Sequence, residues 1–135
     1  MATEAWLKTF LADHGGVAGT VHLLQGDVLK LAAHVNIPPP VVKVTDIIPR
    51  GKGMAGLAWE RDEVVAVCNL ESDASGDVRP GAKAVAARAA LAIPVHAPAG
   101  GLRAVVGIAF MGERNFSEQE LKAFEGAAAA LPESG

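Results

Sequence analysis

Four groups of side chains in this sequence have chemistry to offer. They are one thiol, Cys68; four imidazoles, His14, His22, His34 and His96; a basic Gly-rich turn, Arg50-Gly51-Lys52-Gly53; and a polar loop running from Asp73 through Ser75 and Asp77 to Arg79. A thiol needs a neighbouring base or a second thiol to become a redox centre. Cys68 ends the apolar run Val64-Val65-Ala66-Val67, where a free cysteine packs as a small hydrophobe. If Gly26-Asp27 is a two-residue turn, Gln25 pairs with Val28, so His22 lies across from Leu31 and His34 across from Gly19, on opposite sheet faces. No zinc-type cluster follows from such spacing, so neither metal nor cofactor is expected. His14 reads as a helix C-cap and the other histidines as surface or edge residues, with His34 and His96 the two that can still turn toward a pocket. A Ser-His-Asp triad would have to use Ser72 or Ser75, and neither stands in a G-x-S-x-G elbow.

The turn and the loop point to binding. A phosphate loop needs Gly-Lys followed by Ser or Thr, whereas Lys52 is followed by Gly53. A Gly-rich turn opening a helix still leaves free N–H groups at its positive end, suited to a small anion or carboxylate, and Arg50 and Lys52 add charge. The plainer reading, a turn that simply needs glycine dihedrals, is favoured. Arg79 has the planar fork for carboxylate or nitrate-like oxygens, flanked by Asp73 and Asp77, although Asp and Ser also serve any turn. Trp59 is a candidate ligand wall as well as a candidate core residue, and Met54 is adaptable lining.

These residues must be positioned by regular elements. Thr3 can cap a first helix whose apolar stripe is Trp6, Leu7, Phe10 and Leu11, stopped by His14-Gly15-Gly16. Residues 19–24 and 28–34 form a hairpin, and Pro38, Pro39 and Pro40 open a short helix. Ile47-Ile48, a helix over about 54–61 and a strand over about 63–68 follow. The Ala-rich stretch 82–92 reads as helix, and the runs ALAIPVHAP and RAVVGIAFM as a hairpin around Ala99-Gly100-Gly101. Ser117-Glu118-Gln119-Glu120 is a capping box, followed by Leu121, Phe124, Ala128 and Leu131 on one helical face. Hairpins interleaved with helices predict an α+β domain over residues 1–135.

Composition agrees. In 135 residues, half are hydrophobic and 20% charged, which suits one globular core and excludes a disordered chain. A net charge of -3 with no basic run beside an aromatic argues against nucleic acid. The N-terminal residues lack a signal-peptide pattern and no apolar run reaches membrane-spanning length, so a cytoplasmic protein is expected.

The order IPRGKGMAG, then EVVAVCNLESD, then ALAIPVHAPAGGLRAVVGIAFMGERNFSEQELKAF resembles a GAF domain over nearly the whole chain. The resemblance implies an antiparallel sheet of five or six strands, terminal helices on one face, and a ligand pocket on the other beneath residues 36–88. It implies a bacterial-type sensor of a small polar or anionic metabolite that signals through a protein partner or a dimer. On that reading Trp59, Asp73, Asp77, Arg79 and Met54 bind the ligand. The alternative is a ligand-free association module, with Trp6, Phe10, Leu121 and Phe124 pairing two copies. A minority of the family catalyse. The free methionine-(R)-sulfoxide reductases of this fold use cysteines where this chain has Met54-Ala55 and Ser75-Gly76-Asp77, so no enzyme is expected. The Asn-Lys pair of cyclic-nucleotide GAF domains is absent, and Cys68 precedes Asn69 rather than the His that often accompanies a bilin-attaching cysteine. Likeness to small nitrate receptors is in size and layout only.

Overall fold

The computed structural model describes residues 2–37, 39–67, 89–112 and 115–132. Helix α1 spans Ala2–His14 and buries Leu7, Phe10 and Leu11. Thr3, expected as its cap, lies inside the first turn and is 4% exposed. Gly15, at φ +73°, adopts the left-handed conformation that ends the helix, and the Gly16 N–H donates back to the Leu11 carbonyl at 2.9 Å. Strands β1 (Ala18–Gln25) and β2 (Val28–Val35) form the hairpin, closed by Gly26 at φ +65°. Helix α2 (Pro39–Thr45), strand β3 (Ile47–Pro49), helix α3 (Gly53–Arg61) and strand β4 (Val65–Val67) follow. The chain continues with β5 (Ala89–His96), β6 (Leu102–Phe110) and helix α4 (Glu118–Ala128).

The strands form one antiparallel sheet of α+β type in the order β3-β2-β1-β6-β5-β4. Hairpin partners β1 and β2 are sequential, but β1 also pairs with β6, so the chain's two longest strand pairs meet at the sheet centre. Ala89, expected as helix, and Ala90 to Ala92, which fall in both the helical stretch 82–92 and the strand-like run ALAIPVHAP, belong to β5. Alanine favours a helix only weakly, and here burial on both faces between β4 and β6 prevails over it. The helix expectation for 82–88 lies outside the described residues.

One face of the sheet carries α1 and α4. Val21, Ile93, Val95, Val106, Ile108 and Phe110 pack there against Leu7, Phe10 and Phe124. The α4 capping box is formed: the Glu120 N–H donates to Ser117 Oγ, and the Ser117 N–H to Glu120 Oε1. No described helix is long and apolar enough to cross a membrane.

Candidate ligand-binding site

The opposite face is built differently. Among the described residues its buried cluster is Leu29, Ile48, Ala58, Val65, Ala92 and Val105, with Met54, Leu57 and Trp59 of α3 half-buried against it. Strand register sets the floor. One row across the sheet reads His34, Thr20, Gly107, Ala92, Val65, and the next Leu31, His22, Val105, Pro94. Small side chains therefore occupy the middle, and the polar groups Thr20, His22 and His34 stand to one side. Gly107 leaves room for Thr20, because a Cβ on it would lie 2.7 Å from Thr20 Oγ1 and force that side chain to shift.

The histidines depart from expectation in two respects. Gln25 does pair with Val28 and His22 with Leu31, but the register shifts between Val21 and His22, and Ala32 is left without a partner. This bulge sets His34 opposite Thr20 instead of Gly19, which brings it to the face that holds His22. His22 is also no surface residue: it is 2% exposed. Its Nε2 lies 2.8 Å from the Thr45 carbonyl at the end of α2. A carbonyl only accepts, so Nε2 carries the proton and Nδ1 is a bare acceptor, buried without a partner among the described residues. Burial lowers the His22 pKa, more than the Thr45 hydrogen bond and the nearby Asp46 carboxylate raise it. The ring is neutral at neutral pH. The signal available in the sequence was two polar residues, Thr20 and His22, alternating on one face of an otherwise apolar strand.

The cover over this face starts from the Gly-rich turn. Gly51 and Gly53 take φ +80° and +64°, as their expected role requires. The Gly51 N–H donates to the Gly56 carbonyl and the Lys52 N–H to that of Pro49. These two donors are committed inside the turn, which reduces the anion site suggested by the sequence. Gly56 lets α3 sit on the turn, since a Cβ there would meet the Pro49 carbonyl oxygen at 2.6 Å. The Arg50 guanidinium lies 5.8 Å from the Trp59 ring centroid, so one face of that ring carries a cation. At the other end of α3, Asp62 takes a left-handed φ of +53° and its Oδ1 lies 2.5 Å from His96 Nε2, an exposed pair joining the helix end to β5.

Of the residues expected to bind ligand, Met54 and Trp59 lie on α3 against the second cluster. Asp73, Asp77 and Arg79 fall outside the described residues, as does Cys68. Among the described residues no group of three His, Cys, Asp or Glu side chains is placed to hold a metal. The helices expected to pair two copies also pack within the chain. Phe10 and Phe124 are each 4% exposed, stacked edge-to-face at 6.4 Å, and only Trp6 and Leu121 remain half-exposed.

Comparison with known proteins adds a family and a set of folds. The family model described as GAF domain matches residues 6–131. No match is found among curated proteins. Among solved structures, the free methionine-R-sulfoxide reductase from Neisseria meningitidis, in complex with its substrate, is similar with a TM-score of 0.76 at 19% identity, over 96% of this chain and 72% of that one. The GAF domain of an Acinetobacter phosphoenolpyruvate-protein phosphotransferase gives 0.71 at 18%, over 96% and 74%. A GAF domain/HD domain protein from Geobacter sulfurreducens gives 0.72 at 11%, over 94% and 84%. At these identities the likeness is one of fold.

Proposed function

The chain belongs to the GAF domain family, and from that premise we propose that it is a sensor that binds a small polar metabolite on the α3 face of its sheet. The observation that carries the reading is the asymmetry of the two faces among the described residues. The α1/α4 face is filled by large side chains, while the α3 face has a floor of Gly107, Ala92 and Val105, half-buried apolar residues above it, and polar groups at one side. Ligand sites are commonly built in this way, from apolar walls with a few polar anchors.

Met54 and Trp59 form the wall, Asp73, Asp77 and Arg79 supply polar contacts from the segment beyond β4, and occupancy passes to a protein partner. Native mass spectrometry of freshly purified protein, followed by thermal shift against small anions, amino acids and nucleotides, tests the reading. A bound mass, or a concentration-dependent rise in Tm, is expected. A bare mass and a flat panel would count against it. Arg79→Ala is expected to weaken an anionic ligand while leaving the Tm of the ligand-free protein unchanged, and an equal loss of stability without ligand would make Arg79 structural.

Reductase chemistry finds less support. The chain has one cysteine, Cys68, so a sulfenic acid formed on it has no second thiol within the chain to close a disulfide. Thiol-dependent reduction of methionine sulfoxide that disappears in Cys68→Ser would reverse that judgement.

A further inference from the structure

The His22 ring is held in one tautomer and leaves one unmet need. Nε2–H is committed to the Thr45 carbonyl at 2.8 Å, and Nδ1, buried without a partner, has a lone pair that only a donor can satisfy. A buried acceptor left unmet is costly, and native proteins rarely leave one without a reason. Among the described residues its sheet neighbours offer none: Leu31 and Val105 flank His22 across the sheet, and Leu24 follows it on the same face. The nearest polar side chain on its own strand is Thr20, two positions away beside Gly107.

We propose that Nδ1 of His22 accepts a hydrogen bond from the ligand, so that this site takes a hydroxyl- or amino-bearing small molecule and rejects anions that can only accept. The inference rests on the reading of the α3 face as a ligand site and narrows what occupies it. Nitrate, which has no donor, would set its oxygens against the Nδ1 lone pair. A ligand hydroxyl or ammonium group meets that lone pair and can offer an oxygen or a second donor to Thr20. His22 is thus a binding residue, and Thr45, through its carbonyl, positions it.

The test uses the whole chain with histidine nitrogens labelled, followed by long-range proton–nitrogen NMR and thermal shift. Serine, ethanolamine and glycerol are titrated as donor-bearing probes, and nitrate and acetate as acceptor-only ones. A bare-acceptor Nδ1 signal in the free protein is expected, moved by at least one donor probe that also raises Tm. In His22→Gln, whose amide can still reach the Thr45 carbonyl, affinity for that probe is expected to fall about tenfold or more. In His22→Asn, whose oxygen takes the place of Nδ1, much of it is expected to return. An Nδ1 already hydrogen-bonded in the free protein overturns the inference, as does a set of donor probes that leaves its signal unmoved. If nitrate or acetate raises Tm while the His22 signal stays still, this inference fails and the sensor reading stands. If no probe changes either, both lose their footing.

Discussion

His22 sets a pH dependence by itself. Its pKa is lowered from 6.5, first by burial, against the raising effects of the Thr45 hydrogen bond and the Asp46 carboxylate. The unfolded chain therefore binds a proton at a higher pH than the folded one. The stability this histidine confers is complete above the unfolded value, about 6.5, and is lost as pH falls below it toward the lower folded value. Urea unfolding of wild type is expected to show a decline between about pH 7 and pH 5.5 that His22→Gln lacks, and identical slopes would remove His22 as its source. Gly107 gives a second residue-scale prediction. Gly107→Ala drives a Cβ to 2.7 Å from Thr20 Oγ1 and is expected to cost ~1–3 kcal/mol. Thr20→Ala in the same chain is expected to recover part of that cost in a double-mutant cycle. The face that His34 occupies was not legible in the sequence, and for one reason. Nothing in Leu31-Ala32-Ala33-His34 marks a bulge, for no glycine breaks the run, and one unpaired residue changes which face His34 occupies.

Elements whose signals are local were legible. The Ser117 capping box, the Gly15 stop and the turn at Gly26 each depend on residues within a few positions, and each appears where expected. Ala89 to Ala92 show the limit, because the sequence reads Ala90 to Ala92 both as helix and as strand, and what decides for the strand is β6 on one side and β4 on the other, which no short window contains. The two helices also differ in how they tolerate a methyl group. In α3 a Cβ on Gly56 meets backbone, the Pro49 carbonyl, at 2.6 Å, while at Gly126 in α4 nothing lies within 4 Å. Gly56→Ala is expected to lower Tm by several degrees at least, and Gly126→Ala to raise stability by ~0.5–1 kcal/mol through helix propensity. The same sign for both in thermal melts would contradict the close seat assigned to α3. Ser117→Ala is expected to cost ~1 kcal/mol by loss of the cap.

The molecule as a whole divides its sheet between two tasks. Phe124 lies among the rings of Phe10, His14, Phe110 and Phe116, so the α1/α4 face is committed to stability. Phe124→Ala is expected to destabilise by ~3–5 kcal/mol. The α3 face holds half-buried Met54 and Trp59 over small floor residues, and it carries the proposed function. The sequence conveyed this division through family order and helix periodicity, and it placed Trp59 and Met54 on the covering helix. It did not convey the grouping of the polar anchors on the sheet, because that depends on pairing: Thr20 and His22 come from β1, His34 reaches their face only through the bulge in the β1–β2 register, and the glycine that makes room comes from the distant β6. The most direct test of the central claim is amide chemical-shift mapping of the full chain against the panel of polar metabolites. Perturbations are expected to gather at Thr20, His22, Val105, Gly107 and α3. Perturbations centred on α1 and α4, or none with any compound, would contradict the assignment of the α3 face as the sensing site.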